Sequence, residues 1–181
     1  SIINASFSSA SSALYFMRWG RSIEEILITP FSYFEMLFGF VLSAVSRALL
    51  VAFLILGTGV FFGAVMLHSP ILFVLYVSAI AAIFAMLGII IALWAESFEQ
   101  LQVLNTFVIT PLTYLGGIFY SITFLPELAA TITRYNPFFY FADGVRSSMI
   151  GYSEADSRIG AIVIVGILVL LAVTVTGLFR K

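Results

Sequence analysis

Cysteine is absent from this chain and histidine occurs once, at His68. The missing cysteines exclude disulfides, thiolate metal sites and thiol catalysis, and one histidine cannot build a His-rich metal site. Charge is also scarce, at 9% of 181 residues, and eight basic against nine acidic side chains leave no basic field for nucleic acid. The sequence contains no P-loop, HExxH, GxSxG or GxGxxG pattern. We therefore expect no catalytic residue, no metal and no bound cofactor.

What the sequence has in excess is apolar side chains. They make up 62% of the residues and the mean hydropathy is +1.15, whereas an average soluble domain is about 45–50% apolar. A membrane span needs about 20 apolar residues. Charge-free windows of this kind predict four full spans, at residues 48–67, 70–94, 100–120 and 159–179. The fold class is an all-α polytopic membrane helix bundle forming one domain over residues 1–181.

The first charge-free window, residues 1–17, is shorter than a span and begins without methionine. We interpret it as the second half of a span, which makes the chain N-terminally truncated. Basic residues set the expected orientation. Five of them would lie on the cytoplasmic side and three outside: Arg18, Arg21, Arg47, Arg180 and Lys181, against Arg134, Arg146 and Arg158.

A short helix is predicted between the first two membrane segments. Ser22 and Glu25 have the Ser-x-x-Glu spacing of a capping box, and Pro30 disfavours helix at Thr29. Its apolar face would hold Ile23, Ile26 and Leu27, away from Glu24 and Glu25. The pattern fits a helix lying on lipid headgroups, the commoner case, or a peg for a partner protein.

Two further serine caps predict helix starts. Ser32 and Glu35 would open a helix that runs to about Leu67, and Ser97 with Gln100 would open the next-to-last span. Pro111 should kink that span. Polar groups at bilayer depth normally face protein or water. The polar and small residues of this span and of the first segment fit two interpretations equally, contacts between helices or the lining of a transport path. These residues are Ser8, Ser9, Ser12, Asn105, Thr106, Thr110, Tyr114 and the pair Gly116-Gly117.

Residues 121–157 are too apolar for a plain loop, and we expect a re-entrant helical hairpin at the outer interface. Pro126 and Pro137 suit the first positions of two helices, and Asn136 suits an N-cap. The second helix would end at Gly151. Within it Asp143 and Arg146 are three residues apart and are expected to form a structural ion pair.

Three sequence runs resemble the ABC-2 type transporter permease family, in particular its YadH/NodJ-like group of bacterial inner-membrane permeases. They are RSIEEILITPFSYFEMLFGFVLSAVSRALLVAFLIL, VITPLTYLGGIFYSITFLPE and NPFFYFADGVRSSMIGYSEA, in that order. The resemblance implies a homodimeric exporter subunit in the bacterial inner membrane, surrounded by lipid, with ATP and Mg held by a separate ATPase subunit. Family members have an interfacial helix and six spans, of which the first helix, the first span and part of the second would be missing from this chain.

The resemblance also assigns roles to residues. Residues 22–29 match the coupling helix that docks on the ATPase, which favours the peg interpretation for Ser22, Ile23, Glu24, Glu25, Ile26 and Leu27. Residues 6–12 and 105–117 match the region of dimer contact and pathway, and residues 124–151 match the re-entrant hairpin. Two alternatives stay open from the sequence, a secondary transporter or channel and a non-transporting membrane assembly subunit.

Overall fold

The computed structural model of the chain describes residues 1–20, 33–63, 67–116 and 126–179. All regular structure in these ranges is helical. A π-helical segment, Asn105–Ile109, joins α4 to α5. The α-helices in chain order are α1 (Ile2–Trp19), α2 (Tyr33–Phe61), α3 (Pro70–Trp94), α4 (Phe98–Leu104), α5 (Thr110–Leu115), α6 (Glu127–Tyr135), α7 (Pro137–Ile150) and α8 (Ser157–Phe179).

Helix α3 is the centre of the bundle and contacts α1, α2, α7 and α8. Its buried residues extend from Phe73 to Ala92. At Gly88 the backbone of α1 comes so close that an added Cβ would lie 2.8 Å from the carbonyl oxygen of Phe7. Close backbone approach at small residues is how helices associate in membranes, where the hydrophobic effect does not drive them together.

In the described part of the chain, three helices are long and apolar enough to cross a membrane: Phe34–Phe61, Pro70–Trp94 and Arg158–Leu178. They expose large apolar side chains such as Leu54 and Leu170, as expected where the surrounding solvent is lipid. The predicted all-α membrane bundle is confirmed, and two of the predicted spans, 70–94 and 159–179, agree closely with α3 and α8.

The predicted end of α2 at Leu67 is wrong, because the helix ends at Phe61. Gly63 has a φ of +67°, and its N–H donates to the carbonyl of Val60 at 2.9 Å. A glycine in the left-handed region is a common helix terminator because it has no Cβ to clash. Gly63 was therefore the sequence signal that the hydropathy pattern concealed.

The prediction of a span over residues 100–120 also needs correction within the described residues. Instead of one α-helix kinked at Pro111, the structure has α4, the π-helical segment and α5, which together we call the broken helix (residues 98–115). Its predicted start is confirmed: Gln100 N donates to Ser97 Oγ at 3.3 Å. The Gln100 side chain accepts from Glu96 N at 2.9 Å, one residue before the expected reciprocal partner.

Contacts between helix ends define two ends of the bundle, and we name them inner and outer after the sides that the basic residues predict. At the inner end, Arg18 near the end of α1 contacts the last turn of α3. At the outer end, the N–H groups of His68 and Ser69 donate to the carbonyls of Met149 and Ser148, at 3.0 and 2.9 Å. This arrangement agrees with the alternation inferred from the basic residues, in which the end of α1 and the start of α3 lie on opposite sides.

Candidate functional site

The broken helix runs antiparallel to α1 along its length. At the inner end the Phe98 ring lies 5.9 Å from the Tyr15 ring and 5.7 Å from the Phe16 ring, between centroids. At the outer end, Thr113 and the first residues of α1 line one cavity. We call the region between α1 and the broken helix the gap; the rings fill its inner part, and its outer part opens into this cavity.

Next to the rings the gap narrows to a cleft that Phe7, Phe98 and Leu101 line together with polar side chains, and we call it the polar cleft. Its polar residues are Ser8, Ser11, Ser12, Gln102 and Asn105. Three members predicted from the sequence, Ser8, Ser12 and Asn105, are thus brought together. Ser11, which also lies in the cleft, falls within the predicted region 6–12. Gln102 was missed, although it precedes Asn105 by three residues.

The serine hydroxyls of α1 bond within their own helix. Ser6 Oγ donates to the Ile2 carbonyl at 2.8 Å, and Ser12 Oγ donates to the carbonyl of Ser8. Ser11 Oγ is 3.5 Å from that same carbonyl. Such back-bonding lets a hydroxyl lie in an apolar environment without a partner on the next helix, while its lone pairs stay able to accept.

Asn105 is the member of the polar cleft whose bonding is incomplete. Its Oδ1 is buried and, within the described part of the chain, has no hydrogen-bond partner. The cleft is also too narrow for a water molecule. A buried unpaired carbonyl costs about 1–3 kcal/mol, and such groups often belong to functional sites or to assemblies that supply the partner.

The π-helical segment widens the backbone next to Asn105. The carbonyl of Asn105 accepts from both the N–H and the hydroxyl of Thr110, five residues on, the latter at 2.9 Å. Pro111 follows directly and has no N–H to donate. Adding one residue to the turn before a proline relieves the clash of its ring with the preceding carbonyls, and π-turns of this kind are frequent at functional sites.

The other face of the broken helix is exposed. Phe107 is 73% and Tyr114 is 53% exposed, and Thr106 is exposed between them. Of the predicted pathway or interface residues, Thr106 and Tyr114 therefore lie on this open face rather than in the polar cleft. Ser9 does not line the cleft, and Gly117 lies outside the described residues.

The outer end of the broken helix is attached to the hairpin helix α7. An added Cβ at Gly116 would lie 2.7 Å from Phe138 Cβ, so only glycine permits this approach. Asn136 Nδ2 donates to the carbonyl of Leu112 at 3.2 Å. Beside this contact, Ile2, Thr113, Phe138 and other residues line the outer chamber, a mostly apolar cavity of about 390 Å³.

The boundaries predicted for the second hairpin helix are confirmed. Asn136 caps α7, since its Oδ1 accepts from Phe138 N at 3.0 Å, and Pro137 is the first helical residue. Gly151 ends the helix with a φ of +74°. Pro126 precedes α6 by one residue instead of opening it. Helix α7 packs on α3 and α8, so this part of the segment is no solvated loop.

The expected pairing of Asp143 with Arg146 is replaced by another arrangement. The buried Asp143 carboxylate accepts from Ser153 Oγ at 2.5 Å and from the backbone N–H of Glu154 and Ala155 at 2.8 and 3.2 Å. Arg146 Nη1 forms its salt bridge with Glu154 Oε1 at 3.1 Å. The turn after α7 folds back over Asp143 and supplies these hydrogen-bond donors, which a neighbour on the same helix cannot. The spacing of Asp143 and Arg146 in the sequence did not indicate this arrangement.

The predicted coupling residues Ser22, Ile23, Glu24, Glu25, Ile26 and Leu27 lie outside the described residues. The structure does define where that segment starts and ends. It follows α1, whose last turn is at the inner end, and precedes α2. Trp19 and Trp94 are each 78% exposed near this end, a position typical of tryptophans at a membrane interface.

Comparison with known proteins adds an independent result. The family model described as "ABC-2 type transporter" matches residues 1–150. The "Inner membrane transport permease YadH" of Escherichia coli K12 is 32% identical over 154 residues, which are 85% of this chain and 60% of that protein. "Nodulation protein J" of Rhizobium leguminosarum bv. viciae is 29% identical over 157 residues, 84% and 59% of the two chains.

The chain thus spans about three fifths of the length of these curated relatives. The description of the Escherichia coli relative agrees with the inner-membrane location expected from the sequence. No solved structure matches the chain.

Proposed function

This chain belongs to the ABC-2 type transporter family, and from that premise we propose that it is the membrane-spanning permease subunit of an ATP-driven exporter. ATP and Mg would be bound by a separate ATPase subunit, because these 181 residues contain no phosphate-binding loop. The observation that carries the proposal is the polar cleft between α1 and the broken helix, where uncharged hydroxyl and amide side chains of the two helices face each other.

The chemistry of the gap suits passage of a substrate rather than ion coupling. The polar residues of the cleft are hydroxyl and amide side chains without charge. A proton-coupled carrier uses ionisable groups at bilayer depth, and the polar cleft contains none. The π-helical turn and the closely packed Gly116 give the broken helix two positions at which its shape differs from a regular α-helix.

We further propose that two copies associate through the open face of the broken helix. Thr106 and Phe107 of the π-helical segment lie there, together with Tyr114. A polar residue among apolar ones on a membrane helix contributes a hydrogen bond to a neighbouring helix. A second copy at this face would pair the two broken helices, with a polar cleft on the far side of each.

The coupling function is proposed for residues 22–27. In the sequence they follow α1, which ends at the inner end, and precede α2, so we propose that an ATPase subunit docks on that side. Ile23, Ile26 and Leu27 would fill a groove on that subunit, and Glu24 or Glu25 would meet its basic residues. Force from ATP hydrolysis would then reach the bundle through the ends of α1 and α2.

Co-purification tests the function directly. The full-length protein, tagged and extracted in mild detergent, should retain a P-loop ATPase whose activity appears in the purified complex. The complex in lipid vesicles should move its cargo only when ATP is present. Cargo movement without ATP and without that subunit would favour a channel or secondary transporter, and absence of both would favour an assembly subunit.

The coupling assignment has its own variants. Ile26→Asp places a charge on the docking face, and Glu25→Arg reverses one. Each should reduce export per ATP hydrolysed by about tenfold, since a buried interface charge costs over 1.4 kcal/mol. Glu127→Arg, an exposed change at the outer end, is the matched control. Unchanged export from both inner variants would overturn the assignment.

A further inference from the structure

We propose that Arg18, with the Tyr15 and Phe16 rings, is a positioning element that passes movement of the coupling segment to the broken helix. These three residues, which we call the clasp, are in the last two turns of α1. The proposal rests on the proposed function, because it specifies how that segment would act on the gap.

Arg18 holds one side of the turn between α3 and α4. Its Nη1 donates to the carbonyls of Ala92 and Leu93, at 2.6 and 2.9 Å. These belong to the last turn of α3, whose carbonyls have no partner further along the helix. A cation at a helix C-terminus is also favoured by the helix dipole. The guanidinium therefore binds the end of α3 through both hydrogen bonding and charge.

The two aromatic rings of the clasp hold the other side of the same turn. Phe98 is the first residue of α4, and its ring centroid is 5.9 Å from that of Tyr15 and 5.7 Å from that of Phe16. Both ring pairs are tilted, within the range of favourable aromatic contacts. The end of α1 thus contacts the last residues before the turn and the first residue after it.

The turn between these contacts is short and internally bonded. Ala95 N donates to the carbonyl of Ile91 at 2.9 Å, Gln100 N donates to Ser97 Oγ, and the Gln100 side chain accepts from Glu96 N. A turn with both sides capped transmits displacement because it has few free torsions to absorb it. Movement of the clasp would therefore reach α4.

Helix α4 leads directly into the polar cleft. Gln102 and Asn105 are four and seven residues after Phe98, or about 6 and 10 Å along a helix. The coupling segment begins a few residues after Arg18. The clasp thus connects the described end of α1 with the helix that leads to Asn105, whose Oδ1 is unpaired among the described residues. Tilting α4 at Phe98 would open or close the cleft.

Replacing Arg18 separates coupling from assembly. Arg18→Gln keeps a donor but removes the charge, and Arg18→Lys keeps the charge but removes the planar fork. In the full complex in lipid vesicles, we expect Arg18→Gln to lower export per ATP hydrolysed by about fivefold or more. A change of this size corresponds to the low end of typical coupling free energies between two sites. Arg18→Lys should recover part of it. Arg134→Gln, exposed on α6, is the control for charge.

The same samples give the readout that a purely structural role would not produce. ATPase retention and the melting temperature should stay near wild type in Arg18→Gln while the export ratio falls. An unchanged ratio overturns the proposal, as does a fall in ATP hydrolysis and export by the same factor. Failure of the wild-type chain to retain an ATPase would instead refute the proposed function.

A second variant covers the case in which Arg18→Gln does not assemble. Phe98→Leu keeps an apolar side chain and leaves the Arg18 hydrogen bonds in place, while it removes the ring contacts. We expect a smaller loss of export per ATP together with faster amide exchange at residues 98–102. Normal coupling in Phe98→Leu would show that the broken helix does not respond to the clasp and would refute the proposal.

Discussion

Asn105→Leu is predicted to raise the stability of the bundle while it impairs transport. The side chains have similar size, and Asn105 Oδ1 is buried without a partner among the described residues. Removing such an acceptor should recover part of the 1–3 kcal/mol that an unpaired buried carbonyl costs, so we expect a gain of about 1 kcal/mol. That gain corresponds to about a fivefold change in the unfolding equilibrium constant.

Asn136→Leu is the matched control and should have the opposite sign. Its amide oxygen accepts from Phe138 N and its amide nitrogen donates to the carbonyl of Leu112. Losing an N-cap and a tertiary hydrogen bond should cost about 2 kcal/mol. Asn105→Leu and Asn136→Leu are the same chemical change. The sign of the change in stability therefore depends on whether the amide is hydrogen-bonded in the folded protein.

Reversible unfolding of the purified full-length protein in mixed micelles measures both variants, and vesicle export measures function. We expect Asn105→Leu to be more stable than wild type and to export less. A loss of about 1 kcal/mol in Asn105→Leu would refute the reasoning, because Oδ1 would then have a partner in the assembled protein. Stability gained without loss of export would remove Asn105 from the pathway.

Two further predictions concern packing and the outer turn. Gly116→Ala puts a Cβ 2.7 Å from Phe138 Cβ and should lower the free energy of unfolding by about 1–3 kcal/mol in the same assay. Gly166 has open space around it, so Gly166→Ala is the control and should not destabilise the protein. Equal effects of the two substitutions would contradict the close approach at Gly116. Asp143→Asn replaces an acceptor of three hydrogen bonds and should lower the free energy of unfolding by about 2 kcal/mol. The control Glu127→Gln should have no measurable effect. If Asp143→Asn is neutral, the turn after α7 does not depend on the carboxylate.

Helix starts and ends at caps were readable from local sequence. Ser97, Asn136 and Gly151 cap as predicted because a cap depends on the residues within one turn of it. Gly63 carried the same kind of signal and was missed, because the apolar run continues past it and hydropathy does not register a change of backbone conformation.

Interactions between distant segments were not readable in this way. The spacing of Asp143 and Arg146 suggested a local pair, but the turn at residues 153–155 offered backbone donors and a carboxylate, and these determine the bonding. The π-helical turn likewise depends on Thr110 bonding back to Asn105, whereas Pro111 alone suggested a simple kink.

The sequence by itself determined that the chain is a helical membrane protein, which residues cap its helices and which polar groups it carries at bilayer depth. These properties follow from composition and from contacts a few residues apart. Only the tertiary structure decided that Ser8, Ser12 and Asn105 share one cleft, that Thr106 and Tyr114 face away from it, and that Arg18 binds the end of α3. Those facts depend on how helices rotate and approach one another, which is set by small residues such as Gly88 and Gly116 acting across the bundle.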